Sequence, residues 1–211
     1  MTAAVDLVLA SASPARLAVL RAAGLRPRVQ VSAVDEDAQM RRDGVSEPTQ
    51  VALALATAKC LDVAAGIDDA LVLGCDSVLE FDGQTLGKPP SPQAARDRWR
   101  AMSGRTGVLH TGHWLVDTRG EESRAAGEVA STTVHFAELT PAEIDAYVAT
   151  GEPLRVAGAF TVDGLGGAFV QGIEGDHYNV VGVSLPLLRR LCQRLGVPWT
   201  DLWVAAPQGP A

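Results

Sequence analysis

Short apolar segments alternate with helical segments through the first hundred residues, and this alternation most constrains the fold. The segment 5–10 is apolar and rich in strand-forming residues, and Ser13-Pro14 follows it closely. Serine caps the open N–H groups of a helix start, and proline fits the first turn because its missing N–H would be unpaired there. Strands that alternate with helices predict an α/β fold. The predicted strands cover residues 5–10, 29–34 and 71–74, and the predicted helices cover 14–23, 49–65 and 92–102.

The second half of the chain predicts antiparallel strands. Asp82-Gly83 lies between two strand-like segments and predicts a tight hairpin. Two longer strand-like segments, 108–116 and 129–136, are joined by an acidic loop and predict a second hairpin. Together with the alternating first half, they predict a mixed sheet. A capping box at Thr140-Pro141-x-Glu143 predicts a helix, a last helix covers 185–195, and residues 38–48 and 157–175 predict loops, with a short strand near 168–170.

The chain is predicted to form one domain with a short tail. It has 211 residues, of which 47% are hydrophobic, and this is enough to bury a full core. Residues 1–204 show no repeat and no linker. Residues 205–211 contain two prolines and one glycine, which predict a flexible C-terminal tail.

The charge and composition of the chain limit the kinds of binding partner and the cellular compartment that we expect. The formal net charge is −7, which argues against a nucleic-acid partner because such binding needs a basic face. The sequence has no apolar run of about 18 residues, the length that a membrane helix needs. Its first residues lack the basic region of a signal peptide. Three cysteines without CxxC spacing indicate reduced thiols, so we expect a cytoplasmic protein. Because no apolar run is long enough, we expect no membrane partner.

Lysine is rare in this chain, and its positions are therefore informative. There are sixteen arginines but only two lysines, Lys59 and Lys88. Lysine is a compact point charge and a common phosphate binder, so the two survivors indicate positions where arginine would not serve. With Arg16 at the start of the first helix, they predict a site for a multiply charged anion such as a triphosphate. The alternative, from composition alone, is two surface lysines with no ligand.

The turn between the first strand and the first helix is a second candidate for anion binding. Free N–H groups at a helix start favour a bound anion, and the hydroxyls of Ser11 and Ser13 add donors. The alternative is that Ser13 does no more than cap the helix.

Two carboxylates are predicted to lie at strand ends. Asp76 follows the apolar segment 71–74, and Glu36 follows the segment 29–34. Ligands of open α/β sheets bind at such ends, where carboxylates can hold Mg²⁺ or orient water. Carboxylates, a metal and several cations are together what hydrolysis of a phosphoanhydride needs. Taken singly, each carboxylate is also compatible with a solvated turn.

Four other motifs are weaker candidates. His110 and His113 have the spacing of helical metal ligands, but in a strand they point to opposite faces. The glycines of 164–167 lack the following helix of a dinucleotide-binding fingerprint. The polar segment 176–179 predicts either a cleft lining or a turn. Cys75 is interpreted as a buried thiol rather than a nucleophile.

In combination, the motifs resemble the Maf family of nucleoside triphosphate pyrophosphatases. Each motif is short, but their order and spacing hold from about residue 7 to 195. The resemblance rests on Leu9-Ala10-Ser11-Ala12-Ser13-Pro14-Ala15-Arg16, Val34-Asp35-Glu36, Ala58-Lys59, Gly74-Cys75-Asp76-Ser77, Leu86-Gly87-Lys88-Pro89, Ser103-Gly104-Arg105, Thr111-Gly112, Tyr147 through Gly151-Glu152-Pro153, Ala157-Gly158-Ala159-Phe160, and 174–182.

The resemblance implies a fold and an activity. The implied fold is an elongated mixed sheet flanked by helices, with two lobes and a cleft between them. The implied reaction cleaves a nucleoside triphosphate between the α- and β-phosphates and gives a monophosphate and diphosphate, with a divalent cation, Mg²⁺ or Mn²⁺, as cofactor. A cytoplasmic homodimer that clears modified or non-standard nucleotides is expected. Asp76 falls on the family's general base, and the other polar site positions fall on Ser11, Arg16, Glu36, Lys59 and Lys88.

The sequence departs from many family members at two positions. Ala15 stands where many have a second arginine, and Asp163 stands where enzymes acting on uridine or thymidine triphosphates have glutamine. A carboxylate can accept hydrogen bonds from the N1–H and 2-amino groups of a guanine edge. We therefore expect Asp163 to contact the base, and the substrate to differ from that of a strict uridine or thymidine enzyme, as in a branch similar to 7-methyl-GTP pyrophosphatases.

Two functions of other classes remain open on the sequence. One is a non-enzymatic, nucleotide-binding regulator of cell division and septum formation, which would turn over no nucleotide. The other is a phosphate-binding transferase, which would modify a second substrate.

Overall fold

A computed structural model describes residues 5–204 and shows a mixed seven-stranded sheet flanked by helices, as the sequence predicts. Short 3₁₀ helices cover Glu152–Arg155, Ala157–Ala159, Leu165–Phe169 and Trp199–Leu202. The strands are β1 (Leu7–Leu9), β2 (Arg28–Val29), β3 (Leu71–Phe81), β4 (Gln84–Leu86), β5 (Thr106–Asp117), β6 (Arg124–Phe136) and β7 (Val170–Glu174), and the helices are α1 (Pro14–Ala22), α2 (Glu36–Asp43), α3 (Pro48–Ala64), α4 (Pro92–Met102), α5 (Pro141–Ala149), α6 (His177–Val181) and α7 (Leu185–Arg194).

The strand order explains why the sheet is mixed. The strands lie in the order β2-β1-β3-β5-β6-β7, and β4 pairs with β3 off this path. Strand β1 is parallel to β2 and β3, whereas β5, β6, β7 and β4 pair antiparallel. The long strand β3 therefore joins a parallel half of the sheet to an antiparallel half.

Local sequence signals set several element boundaries as predicted. Ser13 caps α1 by accepting a hydrogen bond from the Arg16 N–H, with Pro14 in the first turn. Thr140 and Glu143 form both bonds of a capping box at the start of α5. The hairpin turn at Asp82 and Gly83 has φ values of 50° and 70°, the left-handed pair that such a turn requires.

The prediction that Asp76 lies at a strand end is wrong. Residues 71–81 form one continuous strand, because β5 pairs with β3 along almost its whole length, from Leu71 to Glu80. The strand that ends early is β1, whose last pair with β3 joins Leu9 to Leu73. The predicted strand 29–34 is also too long, since only Arg28–Val29 pairs with β1.

Two predicted loops contain regular structure. Residues Glu36–Asp43 form α2, which Asp35 caps and which ends at Gly44 with a φ of 63°. An aspartate cap and a glycine with left-handed backbone are typical of the two ends of a helix. The segment between them is polar and has no apolar periodicity, so the sequence predicts a loop there. The short strand expected near 168–170 lies instead at Val170–Glu174, after a 3₁₀ helix.

The buried residues form four clusters, of which the two largest differ in chemistry. We call the parts of the molecule around these two clusters the two lobes. The aliphatic core packs α1 and α7 on the first half of β3 and includes Leu9, Leu20, Leu73, Leu187 and Leu191. The aromatic core packs α4, α5 and the 3₁₀ helices on the second half of β3 and includes Trp99, Phe136, Tyr147 and Phe160.

No helix within residues 5–204 is long and apolar enough to cross a membrane. The predicted tail at 205–211 lies outside the described residues.

Candidate active site

The candidate site lies at an edge of β3 that neighbouring strands leave open. Strand β1 covers this edge up to Leu73, and β4 covers it again from Leu79. Within the described part of the chain, no strand pairs with this edge at residues 74–78. Asp76 lies at the middle of that interval, so the gap provides what a strand end would provide, which is a stretch of strand edge with no pairing strand.

Helix α3 brings Lys59 to this gap because two glycines let it lie directly on the sheet. A Cβ atom on Gly74 would lie 2.3 Å from the Ala56 carbonyl oxygen, and one on Gly112 would lie 2.2 Å from the Ala52 carbonyl oxygen. No larger residue fits at either position. The close approach places Lys59, five residues before the end of α3, beside Asp76.

Lys59 connects the two carboxylates that the sequence singles out. Its Nζ atom lies 2.5 Å from Asp76 Oδ1 and 2.7 Å from Glu36 Oε1. The side chains of Lys59 and Asp76 are only 12% and 11% exposed, whereas that of Glu36, at the start of α2, is 49% exposed. The pair that is out of water is therefore Lys59 and Asp76, and Glu36 covers it from the solvent side.

The two carboxylates differ in proton affinity. Burial raises the pKa of Asp76, and the charges of Lys59 and Arg16 oppose this rise only in part. Burial also acts to raise the pKa of Glu36, but the Lys59 hydrogen bond and the charges of Lys59, Lys88 and Arg16 outweigh it and lower that pKa. The buried carboxylate is thus the better proton acceptor, and the exposed one remains ionised.

Arg16 joins three parts of the chain around the gap. Its Nε donates to the Gly182 carbonyl at 2.8 Å, one terminal nitrogen donates to Ser11 Oγ and the Cys75 carbonyl at 3.0 and 2.9 Å, and the other donates to Ser77 Oγ at 3.0 Å. Four of its five N–H groups are therefore bonded to protein. Arg16 is a clamp whose charge acts on the site from a fixed position.

The two serines at the start of α1 have different roles. Ser11 is buried, and its Oγ accepts from the Arg16 guanidinium and from the Ser13 N–H at 3.2 Å. Ser13 Oγ accepts from the Arg16 N–H at 3.3 Å and so caps the helix. The geometry places Ser11 in the network, while Ser13 Oγ accepts the capping bond. A hydroxyl that accepts one hydrogen bond can still donate its own proton, so the cap is compatible with anion binding by Ser13.

Lys88 faces the same network from the opposite lobe. It is exposed and forms no ion pair with the described side chains, yet its charge contributes to the lowered pKa of Glu36. The loop that carries it is fixed, because the Gly87 carbonyl accepts from Arg98 at 2.6 Å and from the Gly158 N–H at 3.1 Å. Lys88 is therefore a cation held at the opening without a protein counterion among the described residues.

Asp163 is not part of the hydrogen-bonded network within residues 5–204. It is exposed, in the loop between the 3₁₀ helices Ala157–Ala159 and Leu165–Phe169. The structure therefore brings Ser11, Arg16, Glu36, Lys59 and Asp76 into one bonded network. Lys88 acts on this network through its charge, and no contact with it is found for Asp163 among the described residues.

The donor set is compatible with a divalent cation that is shared with a substrate. Asp76 and Glu36 converge on one cation, the Lys59 ammonium. The described residues contain no group of three or more His, Cys, Asp or Glu side chains arranged for a metal. Mg²⁺ commonly uses one or two carboxylates and takes its other ligands from water and substrate phosphates, and this pair fits that pattern.

Sequence reasoning missed residues that hold the clamp in place. Ser77 Oγ lies 2.9 Å from Thr111 Oγ1, which donates to the Asn179 carbonyl at 3.1 Å. The Asn179 amide donates to the Leu109 carbonyl and to Thr132 Oγ1. Gly182 is required because a Cβ atom there would lie 3.0 Å from Arg16 Nε, and its φ is 123°. Asn179 is the only asparagine of the chain, and this rarity is the one sequence feature that marks it as a candidate for a special role.

The weaker candidates of the sequence have structural roles. His110 bonds Glu80 and Ser131, and the buried His113 accepts from the Ser184 N–H. Burial raises the pKa of the Cys75 thiol to about 12, which excludes a thiolate nucleophile at neutral pH.

Comparisons with known proteins identify the family of the chain. The family profile described as Maf-like protein matches residues 6–195. A protein of Streptomyces coelicolor named nucleoside triphosphate pyrophosphatase is 56% identical over 202 residues, which is 95% of each chain. Proteins with the same name from Streptomyces avermitilis and Saccharopolyspora erythraea are 56% and 54% identical, over 93% of this chain and 94% and 96% of theirs.

Proposed function

The chain belongs to the Maf family, and we propose on that premise that it is a nucleoside triphosphate pyrophosphatase, a hydrolase that releases diphosphate. The three relatives carry that name at more than half identity over nearly full length. The observation that carries the proposal is the Lys59 ammonium between Asp76 and Glu36 at the open edge of β3.

The charges of the site suit a polyphosphate. Three cations, Arg16, Lys59 and Lys88, surround two carboxylates, so the local balance is one positive charge. A triphosphate entering the gap meets the exposed Lys88 first, whereas Arg16 is fixed by its four bonds to protein. Fixed charges need no reorganisation when negative charge shifts toward the leaving group, which is the main source of catalysis in phosphoryl transfer.

The proposed reaction adds water across the α–β anhydride. The water oxygen bonds to the α-phosphorus, and the bond from that phosphorus to the bridging oxygen breaks. The bridging oxygen leaves with diphosphate, and the nucleoside monophosphate keeps the water oxygen. Asp76 accepts the proton of the attacking water, a role that its raised proton affinity favours. The Lys59 ammonium favours the ionised form of the Asp76 carboxylate, which this role requires before the reaction.

A divalent cation is part of the proposal. Asp76 and Glu36 are the residues that would hold Mg²⁺ or Mn²⁺ together with the substrate phosphates. When bound, the metal would neutralise charge on the phosphoryl oxygens. Glu36 suits this role because it remains ionised and reaches the solvent side.

We further propose that the preferred substrates are modified or non-canonical nucleotides with a guanine-type edge. Asp163 presents an exposed carboxylate, which accepts hydrogen bonds and donates none when ionised. A guanine edge offers two adjacent donors, N1–H and the 2-amino group, whereas a uracil edge does not. Asp163 is thus proposed as the base contact, and Ser11, Ser13, Arg16, Lys59 and Lys88 as the triphosphate contacts.

The proposal also covers the setting of the enzyme. The three cysteines are buried and unpaired, as in proteins of the reducing cytoplasm. We propose a single catalytic domain over residues 1–204 that acts in the cytoplasm, as a homodimer.

The test is diphosphate release from a panel of normal and modified nucleoside triphosphates, with Mg²⁺ and then Mn²⁺. Asp76→Asn is expected to lower kcat on the order of a thousandfold, because it removes the proton acceptor but keeps the side-chain shape. Asp82→Asn is the matched control, since Asp82 lies in the exposed hairpin turn and asparagine tolerates its left-handed backbone.

The outcomes separate three functions. Diphosphate released by the wild type and Asp82→Asn, and lost in a folded Asp76→Asn protein, supports the proposal. A near wild-type rate in Asp76→Asn would exclude Asp76 as the base. Nucleotide binding without turnover would favour the regulatory alternative, and modification of a second substrate would favour a transferase.

A further inference from the structure

The Glu152 carboxylate is the hydrogen-bonding centre of the loop 161–166, which we call the recognition loop. Its oxygens accept from the hydroxyls of Tyr147 and Thr161 at 2.8 and 3.0 Å. They also accept from the backbone N–H groups of Leu165 and Gly166 at 3.0 and 2.9 Å. Burial raises the pKa of Glu152, but these four donors outweigh that effect and hold the pKa below its usual range. One carboxylate therefore fixes both ends of the loop.

The glycines of the loop are explained by this centre. A Cβ atom on Gly164 would lie 2.5 Å from Glu152 Oε2, and one on Gly166 would lie 2.2 Å from the Tyr147 hydroxyl. Larger residues would push the backbone away from the carboxylate. The Gly164-Leu165-Gly166-Gly167 motif thus serves close packing around Glu152.

The recognition loop is also connected to the loop of Lys88. Gly158 donates to the Gly87 carbonyl, and a Cβ atom on Gly158 would lie 2.7 Å from the Leu79 side chain. Leu79 belongs to the aromatic core. The chain therefore runs from Gly158, which bonds the loop of Lys88 and packs on this core, into the recognition loop three residues later.

The centre of the loop is exposed although its ends are fixed. Asp163 and Leu165 point to solvent, and Leu165 is 61% exposed. An exposed carboxylate next to an exposed apolar side chain can accept hydrogen bonds from the edge of a planar ring and contact its face. A loop held by four hydrogen bonds presents both groups without a large ordering cost on binding.

We propose that Glu152 is a positioning residue that fixes the recognition loop, so that Asp163 discriminates between nucleobases. This inference rests on the proposed function, since it concerns the base of the same nucleotide. Glu152 acts through Asp163 and the loop backbone. None of the four hydrogen bonds of its carboxylate involves Lys59 or Lys88, the proposed phosphate contacts.

The test compares kcat/KM for guanine-type and pyrimidine triphosphates in the wild type, Glu152→Gln, Asp163→Asn and the double variant. A glutamine amide nitrogen cannot accept hydrogen bonds, so Glu152→Gln loses part of the set of four. We expect the guanine-to-pyrimidine ratio of kcat/KM to fall at least tenfold in each single variant. The double variant is expected to lose no more than either single variant, because both act through one contact.

Two measurements distinguish positioning from general damage to the lobe. Inhibition by inorganic diphosphate is expected to stay within twofold of the wild type in Glu152→Gln, because diphosphate has no base. Glu143→Gln is the control, since Glu143 is a hydrogen-bonded carboxylate of the α5 capping box in the same lobe and does not contact the loop. It is expected to keep the wild-type ratio.

Several results would overturn the inference. They are an unchanged ratio in Glu152→Gln, a uniform loss for all bases with weaker diphosphate inhibition, or fully additive effects in the double variant. If Glu152→Gln does not fold, Gly164→Ala places a Cβ against the carboxylate and is expected to lower the ratio in the same direction. Absence of wild-type turnover would instead refute the proposed function, and an active wild type without base preference would refute this inference alone.

Discussion

The two lobes position their functional groups by different means. Arg16, Lys59 and Asp76 lie on the regular elements α1, α3 and β3, and Ser11 lies in the turn between β1 and α1. On the side of the aromatic core, Lys88 and Asp163 lie in loops, and the segment from residue 152 to 169 contains only 3₁₀ helices and turns.

Directional contacts of the aromatic core support the segment 152–169, which has no α-helix or strand. Trp99 makes edge-to-face contacts with Phe136, Tyr147 and Phe169, at ring-centroid distances of 5.5 to 5.9 Å, and its indole N–H donates to the Ala159 carbonyl at 2.8 Å. Aliphatic side chains fill space without preferring one orientation, so the first lobe relies on backbone ladders instead. The comparison shows that a loop can hold a binding group precisely when rings and one carboxylate fix its backbone.

The largest effect on stability and base selectivity is expected from Trp99→Leu, which disrupts the aromatic core. The substitution removes a fully buried ring and its hydrogen bond, so the free energy of unfolding should fall by about 3 kcal/mol. Because the ring supports Tyr147 and Phe169, base selectivity should fall as well. Urea unfolding and kcat/KM for two nucleobases measure both effects.

Leu73→Ala is the counterpart in the aliphatic core. It should cost a similar free energy of unfolding, about 3 kcal/mol, while base selectivity stays at the wild-type value. Equal losses of base selectivity in Trp99→Leu and Leu73→Ala would contradict the inference that only the aromatic core supports the recognition loop.

A smaller effect is expected from the protonation of His113. Burial lowers the pKa of His113 to about 3, and its Nε2 must stay unprotonated to accept the Ser184 N–H. Between that pKa and the unfolded value of about 6.5, the unfolded state binds more protons, so stability falls as the pH decreases. From pH 7.5 to 5.5 the expected loss is about 1.4 kcal/mol in the free energy of unfolding.

Urea unfolding at the two pH values checks this prediction. His113→Gln should be less stable at pH 7.5 and should lack this part of the pH dependence. His177→Gln is the control, because His177 is exposed, and it should keep the wild-type dependence. The same pH dependence in all three proteins would assign it to other groups.

The smallest effect is expected from Lys88→Ala. Lys88 is exposed, so its attraction for a phosphate is screened by water, and KM should rise about fivefold, or about 1 kcal/mol, with little change in kcat. Lys88→Arg should restore KM to within about twofold because the charge is kept. A large fall in kcat for Lys88→Ala would place this cation at the reacting phosphate instead.

Local signals predicted the parts of the fold whose partners are close in sequence. The Ser13 cap, the Asp82-Gly83 turn and the Thr140–Glu143 box each join residues no more than three positions apart. The length of β3 could not be read in this way, because β5 extends the strand through Asp76. The recognition loop was equally hidden, since its backbone bonds to Glu152 span 13 and 14 positions.

The same distinction applies to the site. Charge and rarity identified Arg16, Glu36, Lys59, Asp76 and Lys88 as candidates, because the charge of a side chain is visible in the sequence itself. The residues that hold them, Ser77 and Gly182, carry no charge, and their contribution becomes visible only when the chain is folded. The hydrogen bonds by which Arg16 joins three parts of the chain could not be predicted either, since its partners are far apart in the sequence.

The bond between Arg16 and Gly182 has a consequence for the synthesis of the protein. The two residues are 166 positions apart, and within the described residues α7 and the 3₁₀ helix Trp199–Leu202 follow Gly182. A ribosome must therefore translate the chain through Gly182 before the arginine near its start can take its final position. A truncated translation product that stops before Gly182 has every charged residue of the site but lacks the carbonyl that orients Arg16.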